Sequence, residues 1–165
     1  KDPDFRKSFK DELKSGVLSN GPFLESTPVF QTGKQASHIF SELLGSEIDP
    51  GLSESIFGSR PLYTHQEKAI IKTHRGSNIL VATGTGSGKT ESFLFPIILS
   101  LYKEYVNGTL DSGVRALILY PMNALANDQR DRLGEICSKL KQSNSRFHFT
   151  FGQYIGDTPE DEKDN

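Results

Sequence analysis

Thr83-Gly84-Thr85-Gly86-Ser87-Gly88-Lys89-Thr90 sets three glycines at alternate positions directly before a lysine and a threonine. Glycines at that spacing let a backbone curl until several N–H groups point into one concavity, the geometry that suits phosphate oxygens. Lys89 adds a full charge for β- and γ-phosphates, and the Thr90 hydroxyl is placed to hold Mg2+. The strict phosphate-loop pattern begins with glycine, where this chain has Thr83. A glycine-rich hairpin carrying a stray lysine is the competing reading, and the flanks argue against it. Asn78-Ile79-Leu80-Val81-Ala82 is an apolar run that stops at the glycines, and Gly88-Lys89-Thr90 opens a helical pattern. Strand, loop and helix in that order are what a phosphate loop requires, and the helix N-terminus adds its own partial positive charge.

A second group of candidate residues lies shortly before the loop. Thr64 and Glu67 stand in capping-box spacing, so a helix is expected from Thr64 to about His74, with Gln66 in its first turn. A glutamine amide both donates and accepts, as an adenine edge demands, and Tyr63 or Phe57 could stack on the base. The alternative is an ordinary helix start with a solvent-facing glutamine; the nearby phosphate loop favours the base-binding reading.

The elements that must position these residues read as α/β. Ser92 to Tyr102, with Pro96 inside, is apolar nearly all round and predicts a helix buried in a sandwich. Arg115 to Tyr120 is a continuous apolar run, as in a buried parallel strand, and Pro121-Met122-Asn123 ends it. A helix is expected from about Ala124 to Lys141, with Leu125, Leu133, Ile136, Cys137 and Leu140 on one face and Arg130 and Arg132 largely away from it. Cys137 reads as a small core residue. A third strand, Phe149 to Ile155, leads to Gly156-Asp157, with Thr158 and Pro159 as a helix start. The predicted fold is therefore a three-layer P-loop domain with a parallel sheet, partial in extent, occupying residues 61–165.

Residues 1–60 form an N-terminal extension, helical and irregular. Asp2-Pro3 caps a short helix with Phe5, Phe9 and Leu13 on one stripe, expected to pack onto the main domain, and Ser19-Asn20-Gly21-Pro22 is a turn. Residues 23–33 read as irregular, 35–44 as helix and 45–60 as loop.

At 165 residues the chain is about one domain, with 19 basic and 21 acidic residues, so no basic field advertises nucleic acid. The single cysteine excludes an internal disulfide framework and fits a reducing compartment, so a cytoplasmic location, or a nuclear one in a eukaryote, is expected. No apolar run is long enough for a membrane span, and the four histidines have no metal-ligand spacing. The chain starts at Lys1 and ends just after a helix start, so it is expected to be an excised, monomeric piece.

These motifs together resemble superfamily 2 helicases of the DEAD/DEAH type, with closest likeness to the Lhr-like and MrfA-like branch. Leu62-Tyr63-Thr64-His65-Gln66 is similar to their adenine-binding Q motif, and Thr83 to Thr90, followed by Glu91, to motif I. Tyr120-Pro121-Met122-Asn123-Ala124-Leu125 resembles motif Ia, and Gly156-Asp157-Thr158-Pro159 a Gly-Asp-Thr-Pro stretch of that branch. The resemblance implies the first RecA-like domain of an ATP-dependent DNA helicase acting in repair or in defence against foreign DNA. It implies ATP and Mg2+ held by Tyr63, Gln66, Thr85, Gly86, Ser87, Gly88, Lys89, Thr90 and Glu91, with Lys89 and Thr90 catalytic. Pro121, Asn123, Ala124, Gly156, Asp157 and Thr158 would then meet single-stranded or duplex nucleic acid, DNA in preference to RNA. Met122 and Asn123 depart from the Thr-Arg or Thr-Lys of motif Ia. No apolar run ends on the acidic pair of motif II, so this chain by itself is expected to bind nucleotide without hydrolysing it. Two other readings stay open: a non-hydrolysing nucleotide-sensing module, and a small P-loop kinase, whose arginine-rich lid is not matched by the acidic sequence after residue 156.

Overall fold

Helix starts are where the local chemistry is strongest. In the computed structural model, which describes residues 2–16, 29–156 and 158, the Asp2 carboxylate accepts the Asp4 N–H at 2.9 Å and Pro3 takes the first helical position. Helix α1 (Pro3–Ser15) follows and ends at Gly16 in the left-handed conformation. None of its residues is buried, and Phe5, Phe9 and Leu13 stay exposed, so the stripe that reads as a packing face has no cover among the described residues. The Ser19–Pro22 turn lies outside them.

Strand β1 (Thr32–Gln35) runs straight into α2 (Ala36–Leu44). Asp49 then caps a short turn, α3 (Pro50–Leu52), by accepting the Leu52 N–H at 2.9 Å, and a π-helical turn continues over Ser53–Phe57. The segment 45–60 is therefore not loop throughout: Pro50 starts a turn rather than breaking one. Strand β2 (Pro61–Tyr63) pairs antiparallel with β1, Thr32 opposite Tyr63 and Gln35 opposite Pro61. Helices α4 (Thr64–His74), α5 (Lys89–Val106) and α6 (Asn123–Gln142) complete the order.

Helix α5 is the centre of the core. Leu94, Phe95, Ile98, Leu99 and Tyr102 are buried against Ile39 and Phe40 of α2, Leu52, Phe57, Ile70 of α4, and Ile136 and Leu140 of α6. Phe57 stands edge-on between Phe40 and Phe95, at 4.6 and 5.2 Å between ring centres, so it is a core residue with no face left for a base. The Tyr102 hydroxyl accepts the Asp49 N–H at 2.8 Å, and burial pushes its phenol above the ordinary pKa. Tyr102→Phe strands that N–H, and a stability loss of about 1 kcal/mol is expected, read as a lower urea midpoint at unchanged slope.

The predicted parallel sheet is not assembled among the described residues. Residues 78–82, 115–120 and 149–154 form no strand and make no backbone–backbone hydrogen bonds; among the described residues the one ladder is β1–β2. Leu80, Leu117 and Leu119 are 94%, 77% and 80% exposed. A continuous apolar run reports a demand for cover on both faces; it does not supply a neighbour for the backbone. The second and third runs instead border a cleft of about 1010 Å3, with α5 and α6 on its other sides.

Candidate nucleotide site

The loop between Ala82 and α5 turns on two left-handed glycines, Gly86 at φ 72° and Gly88 at φ 69°. A side chain at Gly88 would collide with Gln66 Nε2 and press on Glu91, so glycine is required there both by conformation and by space. Ser87 is 1% exposed, its hydroxyl 2.5 Å from Thr83 Oγ1. That contact closes the loop at its base, and it gives Thr83 a role that the comparison with glycine at this position does not suggest. Lys89 Nζ donates to the Gly84 carbonyl at 2.6 Å. Among the described residues the ammonium has no carboxylate partner. The loop thus presents an unneutralised cation beside glycine N–H groups and a helix N-terminus, which fits an entering polyphosphate.

Helix α4 braces this loop from outside. Gln66 is 5% exposed and neither faces solvent nor stands free: its Oε1 accepts the Tyr63 N–H at 2.8 Å, and its Nε2 donates to the Gly88 carbonyl at 2.8 Å and toward Glu91 at 3.4 Å. Both amide donors are engaged, leaving one acceptor lone pair for a base amine. The Thr64–Glu67 capping box does not form. Tyr63 is the cap residue, Gln66 takes the reciprocal position, and Glu67 accepts the Lys34 N–H of β1 at 3.0 Å. His65, which spacing marks only as lacking a metal role, donates from Nε2 to the Ser87 carbonyl at 2.9 Å. Its ring stacks on Tyr63 with centres 5.7 Å apart, and Phe30 lies 5.3 Å from Tyr63. Tyr63, Gln66, Ser87, Gly88 and Glu91 are therefore brought together around the loop, while Thr85, Gly86 and Lys89 face outward.

Glu91 holds a further partner. Arg132 of α6 forms an ion pair with the Glu91 carboxylate. An arginine pointing off the apolar face of α6 reads as a solvent group in sequence; its distant partner on α5 becomes visible only once the helices are packed.

The second set of expected residues surrounds the start of α6. Pro121, Asn123 and Ala124 are exposed, and α6 has no side-chain cap, its first intrahelical bond running from Ala126 N to the Met122 carbonyl. The N–H groups ahead of it have no intrahelical acceptor. Gln153 donates to Asn127 at 2.9 Å, which draws the third run alongside the first half of α6. Gly156 is exposed, and Thr158 closes a turn by accepting the Ile155 N–H at 2.8 Å. Asp157 and the helix start at Pro159 lie outside the described residues. Among those described, no cluster of metal-ligating side chains occurs and no helix is long and apolar enough to cross a membrane. Cys137 is half-buried, burial raises its thiol pKa, and its Sγ lies 3.6 Å from the Phe149 carbonyl, as suits a core residue.

Comparison with known proteins bears on this geometry. A family model described as DEAD/DEAH box helicase matches residues 63–165. The Druantia protein DruE of Escherichia coli (strain UMEA 4076-1) is 38% identical over 155 residues, 87% of this chain and 8% of that protein. The ATP-dependent helicase Lhr-Core of Methanothermobacter thermautotrophicus is 33% identical over 109 residues, 66% of this chain and 13% of that protein. The crystal structure of the DUF1998 helicase MrfA bound to DNA and AMPPNP superposes with a TM-score of 0.62 at 27% identity, covering 91% of this chain and 19% of MrfA. The chain thus spans less than a fifth of the length of each of these proteins.

Proposed function

Because this chain belongs to the DEAD/DEAH box helicase family, on the branch that includes Lhr and MrfA, we propose that it is the ATP-binding part of an ATP-dependent DNA helicase or translocase. Its RecA-like α/β fold follows from the family. The parallel sheet is completed, in this proposal, by chain of the whole protein that covers the apolar runs at 78–82, 115–120 and 149–155. Residues 61–165 are the first part of that domain, and residues 1–60 an extension whose segment 36–57 packs on it.

The observation that carries the reading is the Lys89 ammonium resting on a backbone carbonyl inside a glycine loop braced by Gln66 and His65. Lys89 binds the β- and γ-phosphates, and Thr90 holds Mg2+. The N–H groups of Thr85 to Gly88 cradle the chain of phosphates. Tyr63 lies along the base, and Gln66 receives its amine. Bound ATP supplies the free energy of phosphoryl transfer. Hydrolysis belongs to the whole protein rather than to this chain alone, since no apolar run here ends on an acidic pair. Asn123, Ala124, Gly156 and Asp157 face nucleic-acid phosphates through backbone donors, and Thr158 through its hydroxyl, while Pro121, which has no N–H, lines the same surface; such contacts position a strand without reading its sequence. DNA is favoured over RNA because MrfA is described bound to DNA, and a defence or repair setting because DruE is a Druantia protein.

The test is ATP hydrolysis by the whole protein with no nucleic acid, with single-stranded DNA and with single-stranded RNA. Stimulation by DNA above RNA is expected. Nucleotide binding without hydrolysis, or hydrolysis indifferent to nucleic acid, removes the motor reading and leaves a nucleotide-sensing module.

A further inference from the structure

The nucleotide loop and the middle of α6 are joined by one continuous polar chain. Tyr63 N–H meets Gln66, Gln66 meets the Gly88 carbonyl and reaches Glu91, and Glu91 is paired with Arg132 on α6. Glu91 sits two residues beyond Lys89, on the first turn of α5. Arg132 lies about 14 Å along the α6 axis from Asn123, at 1.5 Å per residue. The ion pair is partly shielded, with the Glu91 side chain 21% and the Arg132 side chain 39% exposed. The hydroxyl of Tyr120, the residue just before Pro121, is buried without a hydrogen-bond partner. Burial raises its pKa, and the Arg132 charge opposes that rise.

The two ends of α6 are held unequally. Ile136 and Leu140 are buried in the core, and the Lys139 carbonyl accepts from Ser55 at 3.2 Å. The first two turns carry Asn123, Ala124 and Leu125 exposed and border the cleft. Arg132 stands where this exposed half, held to the third run through Gln153 and Asn127, meets the anchored half, and its pair with Glu91 is the one ion pair that ties α6 to α5 among the described residues.

We propose that Arg132 is a positioning residue: through Glu91 and Gln66 it couples occupancy of the surface at the start of α6 to the set of the nucleotide loop. The proposal rests on the reading that this surface meets nucleic acid. A strand bound at residues 121–124 displaces the exposed half of α6, Arg132 moves with it, and Glu91 shifts its pull on the Gln66 amide. Gln66 then relaxes or tightens its hold on the Gly88 carbonyl. Such a charge network is a physical route for coupling only if both sites bias it, and coupling between binding sites must be reciprocal.

The experiment therefore measures single-stranded DNA affinity of the whole protein with and without AMPPNP. It is made for the unmodified protein, Arg132→Gln, Arg132→Lys and the double variant Glu91→Gln/Arg132→Gln. In the unmodified protein the nucleotide is expected to change DNA affinity several-fold. In Arg132→Gln that ratio is expected to fall to within about twofold of unity, with DNA affinity alone and AMPPNP affinity alone each nearly unchanged. The lysine variant keeps a charge but not the planar fork, so it should retain part of the ratio. The double variant should lose no more coupling than Arg132→Gln, as for two members of one path. Should Arg132→Gln fail to fold by circular dichroism, the lysine variant decides: a ratio equal to that of the unmodified protein overturns the proposal. So does a folded Arg132→Gln that keeps the ratio, or that loses both separate affinities while keeping it. If the unmodified protein binds no DNA, the nucleic-acid reading itself fails, an outcome distinct from all of these.

Discussion

Lys89→Ala in the whole protein is expected to lower the proposed ATP hydrolysis by at least about 10²–10³-fold, the range for removing one preorganised donor from developing charge. Nucleotide affinity falls as well, because a charge-assisted bond to phosphate is lost. The geometry makes the cost specific to charge. Lys89 Nζ already reaches the Gly84 carbonyl at 2.6 Å, so the side chain spans the loop and has no packing role that alanine would remove. Lys89→Arg tests the same point from the other side. A guanidinium is broader and presents a planar fork, and the small concavity formed by left-handed Gly86 and Gly88 does not suit it. Hydrolysis assays and equilibrium binding of AMPPNP check both variants. An alanine variant that hydrolyses ATP within a few-fold of the original would show that this loop is not the catalytic phosphate site.

Phe40→Ala carries the largest expected loss of stability, about 3–5 kcal/mol for a fully buried ring. Phe40 is fully buried and stands edge-on to Phe57, which in turn meets Phe95 of α5. The cavity would open between α2, the π-helical turn and the helix that carries Lys89 and Thr90 at its start. Typical domains are stable by about 5–15 kcal/mol, so a large part of that margin disappears. The expected readings are a strongly lowered denaturation midpoint and weaker nucleotide binding near it. A loss below about 1 kcal/mol would mean that residues 36–57 are not packed on α5 as described.

The glycine turn before α5 was legible in sequence because its determinants are local. Three glycines, a lysine and a threonine lie within eight residues, and α5 begins at that lysine. The helices were legible for the same reason, through Asp2-Pro3 at α1 and the apolar spacing of α5 and α6. Strand β1 was not. Thr32–Gln35 has no alternation, and its partner Pro61–Tyr63 lies far along the chain, so only pairing makes it a strand. The segment 45–60 was misread because proline and glycine mark breaks by type, whereas Pro50 sits at the start of a turn capped by Asp49. The expected strands at 78–82, 115–120 and 149–155 stand differently: the sequence promises burial there, and burial depends on neighbours that a segment cannot specify. At the site, Gln66 was legible as a polar residue near the loop, yet its actual partners, Gly88 and Glu91, were not. Arg132 was hidden altogether, because its meaning depends on how α6 packs beside α5.

The uncovered apolar runs have a consequence for the behaviour of the isolated chain in solution. From Gly76 to Gly88, and from Ala116 to Asn127, there is no charged side chain. Apolar segments with unpaired backbone groups act as templates for strand pairing between molecules. A net charge of −2 offers little electrostatic repulsion against such contacts. The colloidal stability of this chain is therefore set less by its hydrophilic average than by two short adhesive stretches. Inside a larger sheet those stretches are core; left bare at high concentration, they are the sites where precipitation begins.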